Sequence, residues 1–136
     1  MGAAAIALIW LGMIVGVSFL ATPVKFVVQD LSLPVALQVG QATFALFTRV
    51  EWALAAALLV ACAISPRTRP LALAFAGLLA GAVVVQSAWL LPALDARATA
   101  IVAGVAPPPS AHHSLYAALE AAKALLLAAL SIIIFR

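Results

Sequence analysis

Apolar residues run nearly unbroken through four stretches of this chain, and most polar residues gather between them. The stretches cover about residues 3–21, 34–64, 71–91 (with a helical extension to 102) and 112–135. A hydrocarbon core of roughly 30 Å takes about 20 helical residues to cross. The pattern therefore predicts an all-α fold: an integral membrane bundle of four transmembrane helices, forming a single domain over residues 1–136. The punctuation agrees. Pro23 ends or kinks the first helix, because proline lacks an N–H and clashes with the preceding turn. Lys25 to Pro34 reads as an external connection, and Ser32 with Pro34 as the next helix start. Two prolines stop the second helix in Ser65-Pro66-Arg67-Thr68-Arg69-Pro70. Pro92 is expected to kink the third helix rather than end it. Pro107-Pro108-Pro109 centres the last loop, and Ser110 is a candidate cap for the fourth helix.

Polar positions inside the stretches refine this picture. In the second, Gln38, Gln41, Thr48, Arg49 and Glu51 fall within an arc of roughly 160° at 100° per residue. In the fourth, His113, Tyr116, Glu120 and Lys123 follow steps of three, four and three, which places them on one stripe. Ser131 extends that stripe. A polar side on a membrane helix faces other helices or a water-filled cavity. Ser18, Thr22 and Lys25 make a similar short face on the first helix, and Gln86 contributes from the third.

Composition narrows the class. Of 136 residues, 68% are hydrophobic and 8% charged, far from the globular mix of about half apolar and a quarter charged. The net charge of +3 comes from seven scattered Lys and Arg with no basic run, so no nucleic-acid partner is expected. Those charges bear instead on orientation. Placing the termini inside puts Arg67, Arg69 and Arg136 on the inner side without an acid, and the positive-inside rule then makes both termini cytoplasmic. The first stretch lacks a basic lead and a clear cleavage site, so it is expected to be a retained span. Cys62 is the single cysteine. It cannot form an intrachain disulfide, and no cysteine metal motif exists. The expected location is a bacterial inner membrane, in multi-pass form, with the lipid bilayer as the first partner.

The candidate chemistry lies in four charges within the apolar stretches: Arg49, Glu51, Glu120 and Lys123. With the termini inside, all four lie in the outer half and sum to zero. Pairing of Arg49 with Glu120, or of Glu51 with Lys123, would satisfy them across helices. Adding His113 and Tyr116 gives a six-residue candidate cluster for a small polar solute, a cation or protons. A purely structural set of ion pairs, with Lys and Arg snorkelling outward, explains the same residues. His112, His113 and Glu120 are weak metal candidates, since adjacent helical histidines diverge by about 100° and no metal-binding spacing occurs. No nucleophile, phosphate-loop or dinucleotide motif supports an enzyme, and no cofactor is indicated. Trp10, Trp52 and Trp89 read as packing residues. Gly12-x-x-x-Gly16 and Gly77-x-x-x-Gly81 allow close helix approach, within the bundle in preference to a dimer seam.

Two segments carry a family resemblance: Gly16-Val-Ser-Phe19 leading to Pro23-Val-Lys-Phe26, and His113-Ser-Leu-Tyr116 leading into the last helix. Together they resemble the transmembrane-protein-205-like group of small membrane proteins, across most of the chain at the level of layout. The resemblance implies a four-helix integral membrane protein and a loose link to metal or drug tolerance, and supplies no catalytic residues. That family carries an Asn about where Glu120 stands, so the final helix departs from its pattern. The expected function is binding or transport of a small polar solute or cation. The alternatives are a structural or assembly subunit, as a homo-oligomer or with a membrane partner, and then a membrane enzyme using Glu120 or His113.

Overall fold

A computed structural model describes residues 2–64 and 69–135. Residues 65–68 of the turn expected over 65–70, and Arg136, lie outside the described residues, and residues 69 and 70 already belong to the next helix. Four helices are long and apolar enough to cross a membrane: α1 (Gly2–Val24), α2 (Leu33–Ile64), α3 (Pro70–Val102) and α4 (His112–Phe135). No strand occurs among the described residues. The helices form a closed ring, with α1 against α2 and α4, and α3 against α2 and α4.

The lengths are unequal. Helices α1 and α4 have 23 and 24 residues, while α2 and α3 have 32 and 33. At 1.5 Å per residue the second pair is longer by roughly 14 Å. The excess lies at the end of the bundle that carries the connections at residues 25–32 and 103–111, the loop end. There Gln41 of α2 donates to the Asp95 carbonyl at 3.2 Å and to the Thr99 hydroxyl at 3.3 Å, which ties α2 to α3. Arg97 donates to the carbonyl of Pro108 and pins the triple-proline loop against α3.

Pro23 and Pro92 both lie within continuous helices, and each is preceded by a π-helical segment, Val15–Ala21 and Gln86–Leu90. A wider turn shifts the carbonyls that a proline ring would strike and leaves fewer donors to satisfy. Thr22 helps by donating its hydroxyl to the Val17 carbonyl at 2.8 Å. These segments also carry Ser18 and Gln86, and both residues recur in the site below.

The core is one apolar cluster at the opposite, termini end. Trp10, Ile14, Leu58, Leu79, Leu127 and Leu130 are fully buried there, packed with small residues such as Ala7, Ala55 and Ala76. The outside is apolar as well: Ile9, Leu46, Val60, Leu78 and Leu125 are all more than half exposed. Such a surface is unlike that of a water-soluble monomer, where large apolar patches are rare. Gly12 and Gly77 with Gly81 face outward, and none of the four motif glycines has a close neighbour at its Cβ position. The expectation that these GxxxG motifs pack helices inside the bundle is therefore corrected. The inner seams use alanines instead.

Candidate functional site

A polar network crosses the bundle just above the apolar core. Lys123 of α4 lies 2.5 Å from Glu51 of α2 and 2.6 Å from Glu120, one turn earlier on α4. All three side chains are at most 1% exposed. Trp10 of α1 donates its indole N–H to the same Glu51 oxygen at 2.9 Å. Glu120 receives two further bonds, from the Gln86 amide at 2.8 Å on Oε1 and from the Ser18 hydroxyl at 2.6 Å on Oε2. Every helix thus contributes at least one group.

The charge count matters as much as the distances. Two carboxylates face one ammonium, so the network is one positive charge short of neutrality when both acids are ionised. An uncompensated charge in a low-dielectric interior is costly. A proton or an added cation would supply the difference. Among the described residues two buried polar atoms also have no hydrogen-bond partner, the Gln86 carbonyl oxygen and the Tyr116 hydroxyl.

Above the network the bundle opens toward the loop end. An inner cavity of about 440 Å³, set in the seam between α1 and α4 with the exposed Phe19, Phe26 and Ala117 at its rim, has Glu120 and Ser18 in its wall, with Phe44 and Tyr116. A mouth cavity of about 240 Å³ lies toward the loops and includes Lys25, Gln41 and Asp95. The two share Thr22, Phe26, Phe44, His113 and Tyr116. Phe44 meets Tyr116 edge to face at 5.3 Å between centroids. Lys25 places its ammonium 5.0 Å from the Phe26 ring and 5.9 Å from that of Phe44. Lys25 follows α1 directly, and burial lowers its pKa from the usual lysine value.

The six residues singled out from the sequence separate into three groups. Glu51, Glu120 and Lys123 meet in the network, with the Glu51–Lys123 pair formed. Tyr116 and His113 line the cavities, Tyr116 buried and His113 exposed. Arg49 is exposed and belongs to no ion pair among the described residues, so its expected pairing with Glu120 is not formed. Helix geometry gives the reason: residues two positions apart on one helix differ by about 200°, so turning Glu51 inward turns Arg49 outward. The histidines diverge likewise. His112 packs edge-on against Trp89, 6.0 Å between centroids, while His113 faces the cavity. Among the described residues no three His, Cys, Asp or Glu side chains gather as metal ligands, so the trio of His112, His113 and Glu120 is not assembled.

Trp10 is the member that sequence reasoning missed. It lies in an unbroken apolar run, where packing was the expected role. The available signal was chemical: a buried indole N–H needs an acceptor, and its own apolar run supplies no acidic side chain. Ser18 and Gln86 were visible as polar residues converging on the loop-end half, but not as partners of Glu120. No protein-family model, curated protein or solved structure matches this chain.

Proposed function

We propose that this chain is a multi-pass protein of a bacterial inner membrane, with both termini cytoplasmic, that binds a small cation or polar solute from the outer side. The apolar exterior and the four long helices support the membrane setting. The excess of Arg67, Arg69 and Arg136 on one side supports the orientation. The observation that carries the binding reading is a buried network with one surplus carboxylate, whose Glu120 also lines an open cavity. The fully buried Leu58, Leu79, Leu127 and Leu130 below support binding from one side rather than a standing channel: a further apolar cavity of about 450 Å³ at the termini end, walled by Leu8, Leu11, Ser131 and Phe135, shares no residue with the inner one. Movement through the membrane would require that core to part.

Water access tests this reading. In a Cys62→Ala background, Ala117→Cys lies in the inner-cavity wall and Ser131→Cys lies buried about four turns deeper on the same helix. A charged, impermeant thiol reagent applied to spheroplasts should label the first and spare the second. Equal labelling of both, or of neither, would contradict a cavity open from the outside only.

A second reading has its own support. Arg49, Gly12, Gly77 and Gly81 face outward, as a helix of a partner subunit or a second copy would require. Native mass spectrometry from mild detergent separates the two: a monomer with an accessible cavity favours ligand binding, and a defined oligomer lost on Gly12→Leu favours assembly.

A further inference from the structure

We propose that the occupant of this cavity is an organic ammonium ion, a protonated primary or secondary amine on a small apolar body. The inference rests on the cavity reading above and specifies its ligand. Three independent features of the wall select this chemistry. Glu120 offers a negative charge with acceptor capacity left on Oε2, which takes one hydrogen bond, from Ser18. A carboxylate oxygen carries two lone pairs. Tyr116, 4% exposed, lines both cavities with a hydroxyl that has no partner. An N–H of an ammonium fits that free oxygen. The rings of Phe19, Phe26 and Phe44 supply an apolar and π-rich lining, suited to the alkyl or aryl part and to the charge itself.

The protein already holds one such ion. The Lys25 side chain is a primary alkylammonium, and it sits over Phe26 and Phe44, two of the rings common to both cavities. Among the described residues it pairs with no carboxylate. The chain leaves room for it at Gly40, where a Cβ would overlap the Lys25 ammonium. Lys25 is thus a tethered stand-in for the ligand, held at the mouth one step short of Glu120. An entering amine displaces it, and its positive charge makes up the deficit of the network. An inorganic cation would satisfy the charge but leave the apolar lining without an alkyl or aryl body to pack against it. A neutral solute would use the lining but leave the carboxylate uncompensated.

Calorimetric titration of the purified full-length protein in detergent tests this with 2-phenylethylamine, an ammonium at pH 7, against the near-isosteric neutral 2-phenylethanol. The amine should bind saturably and the alcohol about tenfold or more weaker. Glu120→Gln should weaken the amine by a similar factor, and Lys25→Met should strengthen it about threefold, by removing the competitor and its repulsion. The amine should also protect Ala117→Cys from the thiol reagent, a readout that does not depend on the Glu120 variant folding. Equal binding of amine and alcohol, or unchanged amine affinity in Glu120→Gln, would overturn the proposal, and weaker binding in Lys25→Met would overturn the role of Lys25. Protection by sodium chloride but not by the amine would overturn the organic ligand and leave the cavity reading standing. An unreactive Ala117→Cys would remove the cavity reading itself.

Discussion

The termini half and the loop half of this bundle use the same four helices and differ in how they fill the space between them. At the termini end Leu58, Leu79, Leu127 and Leu130 meet over small alanines and are fully buried. At the loop end Phe44, Tyr116 and Lys25 line open volume, and Gln41 and Arg97 hold the walls by hydrogen bonds. The boundary is the layer of Glu51, Glu120 and Lys123. Lipid is as apolar as leucine, so helices in a bilayer gain from close packing and from interhelical polar bonds rather than from hydrophobic burial. One half uses the first means and the boundary layer uses the second. The loop half uses less of either, and its cavity is where a ligand would add what is missing.

The largest expected effect comes from the boundary. Lys123→Met leaves two buried carboxylates without their ammonium, a loss of about 3–5 kcal/mol when one partner of a buried pair is removed. Unfolding in mixed micelles of mild and denaturing detergent would measure it. A loss below that of an exposed substitution would mean that water, and not Lys123, compensates these acids.

Next comes the contrast between the halves. Leu127→Ala opens a hole in the packed core of the termini end, where Leu127 is fully buried, and should cost about 2–5 kcal/mol. Leu37→Ala, in the mouth wall, should cost less than half as much by the same assay, because its surroundings are already open. Similar losses at both positions would erase the distinction between a packed and an open half.

Trp10→Phe keeps most of the ring volume and removes the N–H that Glu51 accepts. A hydrogen bond to a charged group contributes about 1.5–3 kcal/mol, and the variant should fall in that range. A neutral result would reduce Trp10 to packing. The smallest effect is expected at Arg49→Gln, within about 0.5 kcal/mol, as for exposed positions away from special features. A large loss in the membrane that vanishes in detergent would point to lipid headgroups or a partner helix at Arg49.

Much of this layout is legible in the chain. The four helices follow from apolar runs and prolines, and their ends agree with the expected ones to within about three residues when the third takes its extension from 91 to 102, the spread usual for helix termini. The stripe of Tyr116, Glu120 and Lys123 follows from helical spacing, because residues three and four apart share a face. Arg49 shows where that logic weakens. An arc as wide as roughly 160° spans both the inside and the outside of a helix, and only the packing of α2 between α1 and α3 decides which edge turns inward. The glycine stripes failed for a related reason: small residues permit close approach but do not choose the partner. Trp10 and the π-helical segments that present Ser18 and Gln86 depend on long-range contacts, 41, 102 and 34 residues apart in sequence. No local pattern encodes those pairings.

The central claim is that two buried carboxylates share the single ammonium of Lys123 and leave one acid in surplus. Unfolding free energies of Glu120→Gln, alone and on top of Lys123→Met, test it most directly as a double-mutant cycle. The account predicts that Glu120→Gln costs little alone, since Glu51 and Lys123 then balance, and that it restores part of the stability lost in Lys123→Met. If Glu120→Gln lowers stability by the same amount in both backgrounds, the two groups are uncoupled and the shared-charge account is wrong.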